Sequence, residues 1–85
     1  THCVDSLIGD GCLIEGEVEG SILFPGVTVG KGSSVKNCVL FKNMTVEDSV
    51  TLKCVIADKN VRLRSGGTLI GHESYPLVVS KNSVV

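Results

Sequence analysis

The stretch VTVGKGSSVKNCVLFKN (27–43) runs straight into MTVEDSVTLKCVIADKN (44–60), and the two align position for position. Val29 falls over Val46, Val35 over Leu52, Val39 over Ile56, and Lys42-Asn43 over Lys59-Asn60, so the period is seventeen. Self-similarity at a short fixed period marks a solenoid, whose repeats bury their apolar faces only by stacking on one another. Aliphatic residues recur near every sixth position, as from Val29 to Val35 and from Leu40 to Val46 to Leu52. Three such units make a triangular coil with one short parallel strand per side, and adjacent coils then stack at about 4.8 Å. The apolar residues do not follow the i, i+3, i+4, i+7 pattern of a helix, and the Gly-x-Gly units would break one.

Composition points the same way. Ten glycines, no Trp, two Phe and one Tyr among many Val, Leu and Ile suit strands with tight corners. Asn43 and Asn60, in one column, are corner residues that tolerate positive φ. Eighty-five residues bound the chain to one domain, 1–85. It opens on Thr1 close to the first repeat, which reads as a fragment of a longer polypeptide. No apolar run has the length of a membrane span and no signal peptide is visible, so no membrane partner is expected. A net charge of −1 gives no global field for nucleic acid. The charge is uneven, however. Residues 1–19 carry Asp5, Asp10, Glu15, Glu17 and Glu19 with no Lys or Arg, whereas 31–64 carry seven basic residues. Cys3, Cys12, Cys38 and Cys54 show neither CxxC nor zinc spacing, and read as reduced core or wall residues of a cytoplasmic protein.

The register extends outward. VEGSILFPG (18–26) overlies VKNCVLFKN (35–43). Ile8-Gly9-Asp10-Gly11 matches Val29-Gly30-Lys31-Gly32 at a separation of twenty-one, which predicts about four extra residues and a bulged corner near Leu13 to Glu17. Leu63 and Leu69 keep the period, GHESYP (71–76) breaks it, and LVVSKNSVV (77–85) is read over VTVGKGSSV. The expected interior columns are Ile8/Val29/Val46/Leu63/Val79 and Val18/Val35/Leu52/Leu69/Val85. On the third side, alternation admits only one of Ile22/Val39/Ile56 and Leu23/Leu40/Ala57. Phe24 and Phe41 are expected to stack at a corner or outside.

The aliphatic-Gly-x-x-x-x hexads at Ile8 and Val29 resemble those of the hexapeptide-repeat proteins, which include acyltransferases and sugar nucleotidyltransferases. Residues 5–37, DSLIGDGCLIEGEVEGSILFPGVTVGKGSSVKN, resemble the C-terminal domain of bacterial glucose-1-phosphate adenylyltransferase (ADP-glucose pyrophosphorylase). Residues 69–85, LIGHESYPLVVSKNSVV, resemble the tail of the regulatory-type second subunit found beside the catalytic one in some Gram-positive bacteria. The resemblance implies an all-β, single-stranded left-handed parallel β-helix of about four and a half coils. Its hand would be an exception to the right-handed rule for parallel crossovers. It also implies a cytoplasmic oligomerisation and allosteric domain, in a homo- or hetero-oligomer with the catalytic subunit. The parent enzyme makes ADP-glucose from ATP, with Mg2+, and glucose 1-phosphate for glycogen biosynthesis. Nothing in this chain matches the Gly-rich nucleotide loop or metal-binding aspartates of its N-terminal domain, so no catalytic, cofactor-binding or metal residue is carried over.

Candidate residues remain. Lys42 and Lys59 share a column, as do Lys36 and Lys53. Stacked like charges repel, and an anion such as a phosphorylated sugar effector would offset this; a solvated wall that discourages edge aggregation is the other reading. His72 and Tyr75 in the excursion, and the uncapped end Val84-Val85, are candidate interface residues. The alternative function is a hexapeptide acyltransferase using acetyl-CoA, with His72 beside Glu73 as general base. Against it, His72 also reads as a solvated loop histidine or one packed on another domain.

Overall fold

The computed structural model describes the backbone of residues 2–72 and 74–85, and the side chains of all of these except 2–4. The chain winds through triangular coils. The first carries β1 (His2–Val4), β2 (Leu7–Ile8) and β3 (Leu13–Ile14), and the second β4 (Glu17–Glu19), β5 (Ile22–Leu23) and β6 (Thr28–Val29). The third carries β7 (Ser34–Lys36), β8 (Val39–Leu40) and β9 (Thr45–Val46), and the fourth β10 (Thr51–Lys53), β11 (Val55–Ala57) and β12 (Arg62–Leu63). The last holds β13 (Thr68–Ile70) and β14 (Leu77–Val79), and a bridge from Val84 to Arg62 begins its third side. Every third strand joins the same sheet and all pairs are parallel. The first sheet is β1-β4-β7-β10-β13, the second β2-β5-β8-β11-β14, and the third β3-β6-β9-β12. The result is a left-handed hexapeptide β-helix, 27 × 24 × 22 Å, with no helix among the described residues.

The central period is as read. Val35 pairs with Leu52, Leu40 with Ala57 and Val46 with Leu63, each pair one full period apart. Each side buries one column: Val18, Val35 and Leu52 from the first sheet, Leu23, Leu40 and Ala57 from the second, and Ile14, Val29, Val46 and Leu63 from the third. Alternation thus puts Leu23/Leu40/Ala57 inside and turns Ile22/Val39/Ile56 outward. A further set of inward residues precedes the strands. Val27, Met44 and Val61 form one column, and Val50, Cys38 and Val55 are buried likewise. Ser33 and Ser21, in these same columns, are 2% and 1% exposed. Their hydroxyls accept from Val50 N and Cys38 N and donate to Glu47 O and Glu19 O, so both are paired where they are buried.

Left-handed residues turn the chain at most corners. Between the second and third sheets it stacks Gly11, Gly26, Asn43, Asn60 and Asn82, all at positive φ. Between the first and second sheets it stacks Asp5, Gly20, Asn37 and Cys54. Asn and Asp suit this conformation because their short polar side chains bond locally. Phe24 and Phe41 stack at the corner after the second sheet, with ring centroids 4.9 Å apart.

Three readings of register are corrected. Ile8 lies in the second sheet opposite Leu23, and it is Ile14 that pairs with Val29. The step from Ile14 to Val29 is two short of the period, so the first coil is contracted rather than four residues long. Glu15-Gly16 replaces a four-residue corner, and a Cβ on Gly16 would run into the carbonyl oxygens of Ser33 and Gly30. Val79 pairs with Ala57, one period plus five, so LVVSKN overlies VIADKN and GHESYP supplies a five-residue insertion between the first and second sheets. Val85 leaves the Leu69 column, since its carbonyl accepts from Arg64 N and its own N–H donates to Arg62 O beside the third sheet.

Leu52 is fully buried at mid-stack, whereas Leu69 is half-buried near the open end. Leu52→Ala should cost about 2–5 kcal/mol in urea unfolding and Leu69→Ala clearly less. Asn60→Ala, at φ 58°, should cost about 1–2 kcal/mol while Asn60→Gly stays near neutral.

Candidate functional site

With the interior apolar apart from the paired hydroxyls of Ser21 and Ser33, chemistry resides on the outer faces and corners. The three faces differ. Outside the first sheet stand Glu17, Glu19, Ser34, Lys36, Thr51 and Lys53, then Thr68 and exposed Ile70, with Lys36 and Lys53 in register and Glu19 beside Lys36. Outside the third sheet exposed Leu13 is followed in register by Thr28, Thr45 and Arg62. Outside the second sheet the residues in register are Leu7, Ile22, Val39, Ile56 and Val78, all aliphatic.

Lys42 and Lys59 share a corner column as expected, since Asn60 N donates to Lys42 O. The corrected register adds Lys81, because Asn82 N donates to Lys59 O. Three exposed lysines thus climb the corner between the second and third sheets at strand spacing, about 5 Å apart. Among the described residues no carboxylate lies in ion-pair range of them; the ion pair found there joins Arg62 to Glu47. The carboxylate nearest in sequence, on Asp58, accepts from Lys59 N. Reading LVVSKN over the wrong side hides Lys81; the shared Lys-Asn of residues 42–43, 59–60 and 81–82 is the signal for it.

Glu47 organises the opposite corner. Its Oε2 takes the Arg62 guanidinium, while Oε1 accepts from Ser65 N and Oγ, both at 3.2 Å. The Arg62 bond first, and the Ser65 amide second, hold the Glu47 carboxyl below its ordinary value of 4.5. Asp48 accepts from Lys31 N at 3.0 Å. These contacts tie successive coils together and commit both carboxylates to structure.

His72 is exposed in the insertion. Its N–H and carbonyl exchange hydrogen bonds with Tyr75, at 3.1 and 3.0 Å, and its Nδ1 accepts from Ser74 N at 3.1 Å. With Nδ1 taken up by this backbone bond, Nε2 is the ring nitrogen left open. The proposed orienting group, Glu73, lies outside the described residues. Val84 and Val85 are exposed at the open end. Cys12, Cys38 and Cys54 are free thiols, and burial pushes the Cys38 thiol up, which keeps it protonated and inert. Among the described residues no group of His, Cys, Asp and Glu is arranged to hold a metal, and no helix is long and apolar enough to cross a membrane.

Comparison with known proteins gives the context. A family model described as GlmU-like, C-terminal hexapeptide, matches residues 1–76. The glycogen biosynthesis protein GlgD of Bacillus subtilis (strain 168) is 40% identical over 80 residues, 94% of this chain and 23% of that protein. The glucose-1-phosphate adenylyltransferase of Desulforamulus reducens is 43% identical over 51 residues, 60% of this chain and 13% of its own. That of Clostridium perfringens (strain 13 / Type A) is 50% identical over 42 residues, 49% of this chain and 11% of its own. The chain therefore spans less than a quarter of each of these relatives.

Because the Glu47 pKa lies below its unfolded value, the unfolded chain binds the extra proton between the two. The stability this network adds is present above about pH 4.5 and lost as pH falls through the folded value. Glu47→Gln should flatten the decline of Tm on acidification from pH 5 to 3, measured by circular dichroism, and leave the pH 7–8 segment parallel to that of the parent.

Proposed function

Since the chain belongs to the GlmU-like C-terminal hexapeptide family, we propose that it is the β-helix module of a glucose-1-phosphate adenylyltransferase subunit of the regulatory type. The observation that carries this reading is the extent of similarity. The Bacillus subtilis glycogen biosynthesis protein aligns along nearly the whole chain, 94%, whereas adenylyltransferases align over 49% to 73% of it. The module assembles subunits and conveys effector control, in the cytoplasm and within glycogen biosynthesis. The synthesis of ADP-glucose from ATP and glucose 1-phosphate, with its Mg2+, belongs to a nucleotidyltransferase domain outside this sequence, on the same or a partner subunit.

The physical character of the module fits that role. Three sheets share one core, so displacement of one side is resisted by the other two. Such a prism transmits force as a rigid body and holds surface groups at fixed spacing. The lysine column is then the element for effector contact. At strand spacing, unit charges repel by about 1 kcal/mol per pair even in water, and a phosphorylated sugar across Lys42 and Lys59 relieves that. Lys36 and Lys53 form a second, weaker pair, because Glu19 stands beside them.

Two measurements test this. The longer polypeptide that carries this chain, co-expressed with an adenylyltransferase catalytic subunit, should co-purify with it and alter the effector response of ADP-glucose synthesis. Independent migration, together with acetyl-CoA binding by titration calorimetry, would favour the acyltransferase reading instead. Within the assembly, the Lys42→Ala/Lys59→Ala variant should lose most of its response to phosphorylated effectors while basal synthesis is kept; an unchanged response removes the lysine column from the account.

A further inference from the structure

The outer face of the second sheet is unlike the other two. Leu7 is 69% exposed, Ile22 41% and Val78 66%, with half-buried Val39 and Ile56 between them in one column. The first and third sheets carry mostly Thr, Lys, Glu and Arg at these positions, with one exposed aliphatic each, Ile70 and Leu13, whereas all five here are aliphatic. Interior packing does not require the aliphatic choice, because Leu23, Leu40, Ala57 and Val79 already fill the inward side. The insertion borders this face. Pro76 closes a groove of about 410 Å³ with Asn37, Val39, Cys54 and Ile56. Beside it Tyr75, 82% exposed, is braced by the reciprocal backbone bonds to His72. The face thus offers a flat aliphatic strip with a raised aromatic rim at one end.

We infer that this face is a self-association surface and that its occupant is the same face of a second copy of this chain, with the two solenoid axes antiparallel. Charge along the adjoining corner selects that arrangement. The column runs Asp10, Pro25, Lys42, Lys59, Lys81, acidic at the first coil and basic from the third onward. Antiparallel axes bring Asp10 of one copy towards Lys81 of the other twice over and Pro25 towards Lys59, against one like-charge approach of Lys42 to its own counterpart on the two-fold. They also bring the Tyr75 rim of each copy to the low first coils of its partner, near Leu7 and Ile22. With parallel axes the corner between the first and second sheets would face this column, and Asp5 would meet Asp10. A two-fold contact of this kind is self-complementary and closes as a dimer. Aligned sheets pack face to face through interleaved aliphatic side chains. The open strip runs the full length of the second sheet, five aliphatic residues in register from the first coil to the last. The inference stands on the second sheet and its corners, not on the pathway proposed above, so either can fail without the other.

Sedimentation equilibrium of the 85-residue chain tests it. The expected result is a monomer–dimer equilibrium whose Kd rises about tenfold or more in Val78→Lys and in Ile22→Lys, both at exposed wall positions. Melting of these variants at low concentration should match the parent, which separates lost association from lost folding. Asp10→Lys and Lys81→Glu should each weaken the dimer, and their combination should restore it. A monomer at all concentrations up to about 1 mM overturns the inference, as does a dimer indifferent to both wall variants. In the longer polypeptide, a photo-crosslinker at Ile56 should capture the second sheet of another copy. Capture of a different segment of the same polypeptide would assign the face to an intramolecular contact and overturn the inference.

Discussion

The amides of each coil find their partners on neighbouring coils. Thr28 N donates to Met44 O, Thr45 N to Val61 O and Arg62 N to Ser83 O, at 2.8 to 3.0 Å. A single turn therefore has neither a satisfied backbone nor a core, and stability arises only from the stack. The rise between coils is fixed by strand spacing, so the contour length of each coil must be nearly constant. Departures fall where strands do not. The first coil loses two residues at the corner before β4, and the last gains five at the corner after β13.

The same constraint frees the outside. Because inward columns and left-handed corners supply the stability, outward positions can be chosen for other ends. This chain uses them unevenly, with an acidic-to-basic run on one face, threonines on another and an aliphatic strip on the third. Among the described residues β13 and β14 are the outermost strands of their sheets and keep one edge unpaired. The aliphatic face is the part of the outer wall that argues for a neighbour.

Much of this is legible in the sequence. The period, the parallel triangular coil and the central columns follow from residues 27–60 alone, because there every coil has the same length. Sequence reading goes astray where local motifs repeat on different sides of the prism. Ile8-Gly9-Asp10-Gly11 looks like Val29-Gly30-Lys31-Gly32, yet one leaves the second sheet and the other the third. Corners on any side ask for the same left-handed residues, so a Gly-x-Gly unit reports a corner and not which corner. Leu77-Val78-Val79 goes to the wrong side for the same reason, and takes Lys81 with it. The second inward set escapes notice because Ser21 and Ser33 interrupt its columns; their hydroxyls take the place of aliphatic volume by bonding the wall. The aliphatic face is visible as the column Ile22/Val39/Ile56, but only coordinates decide which of two apolar columns faces out.

The central claim is that a coil of seventeen is the unit from which the molecule is stacked. Removing one unit, residues 44–60, should join Asn43 to Val61 in register and leave a shorter β-helix. Removing residues 44–58 leaves Lys59 and Asn60 as two surplus residues at that corner, which must bulge outward if the later columns are to keep their register. Thermal unfolding by far-ultraviolet circular dichroism compares them directly. The account predicts a cooperative, reversible melt with a β-sheet spectrum for the first deletion and a clearly lower Tm for the second. Indistinguishable behaviour of the two would contradict it.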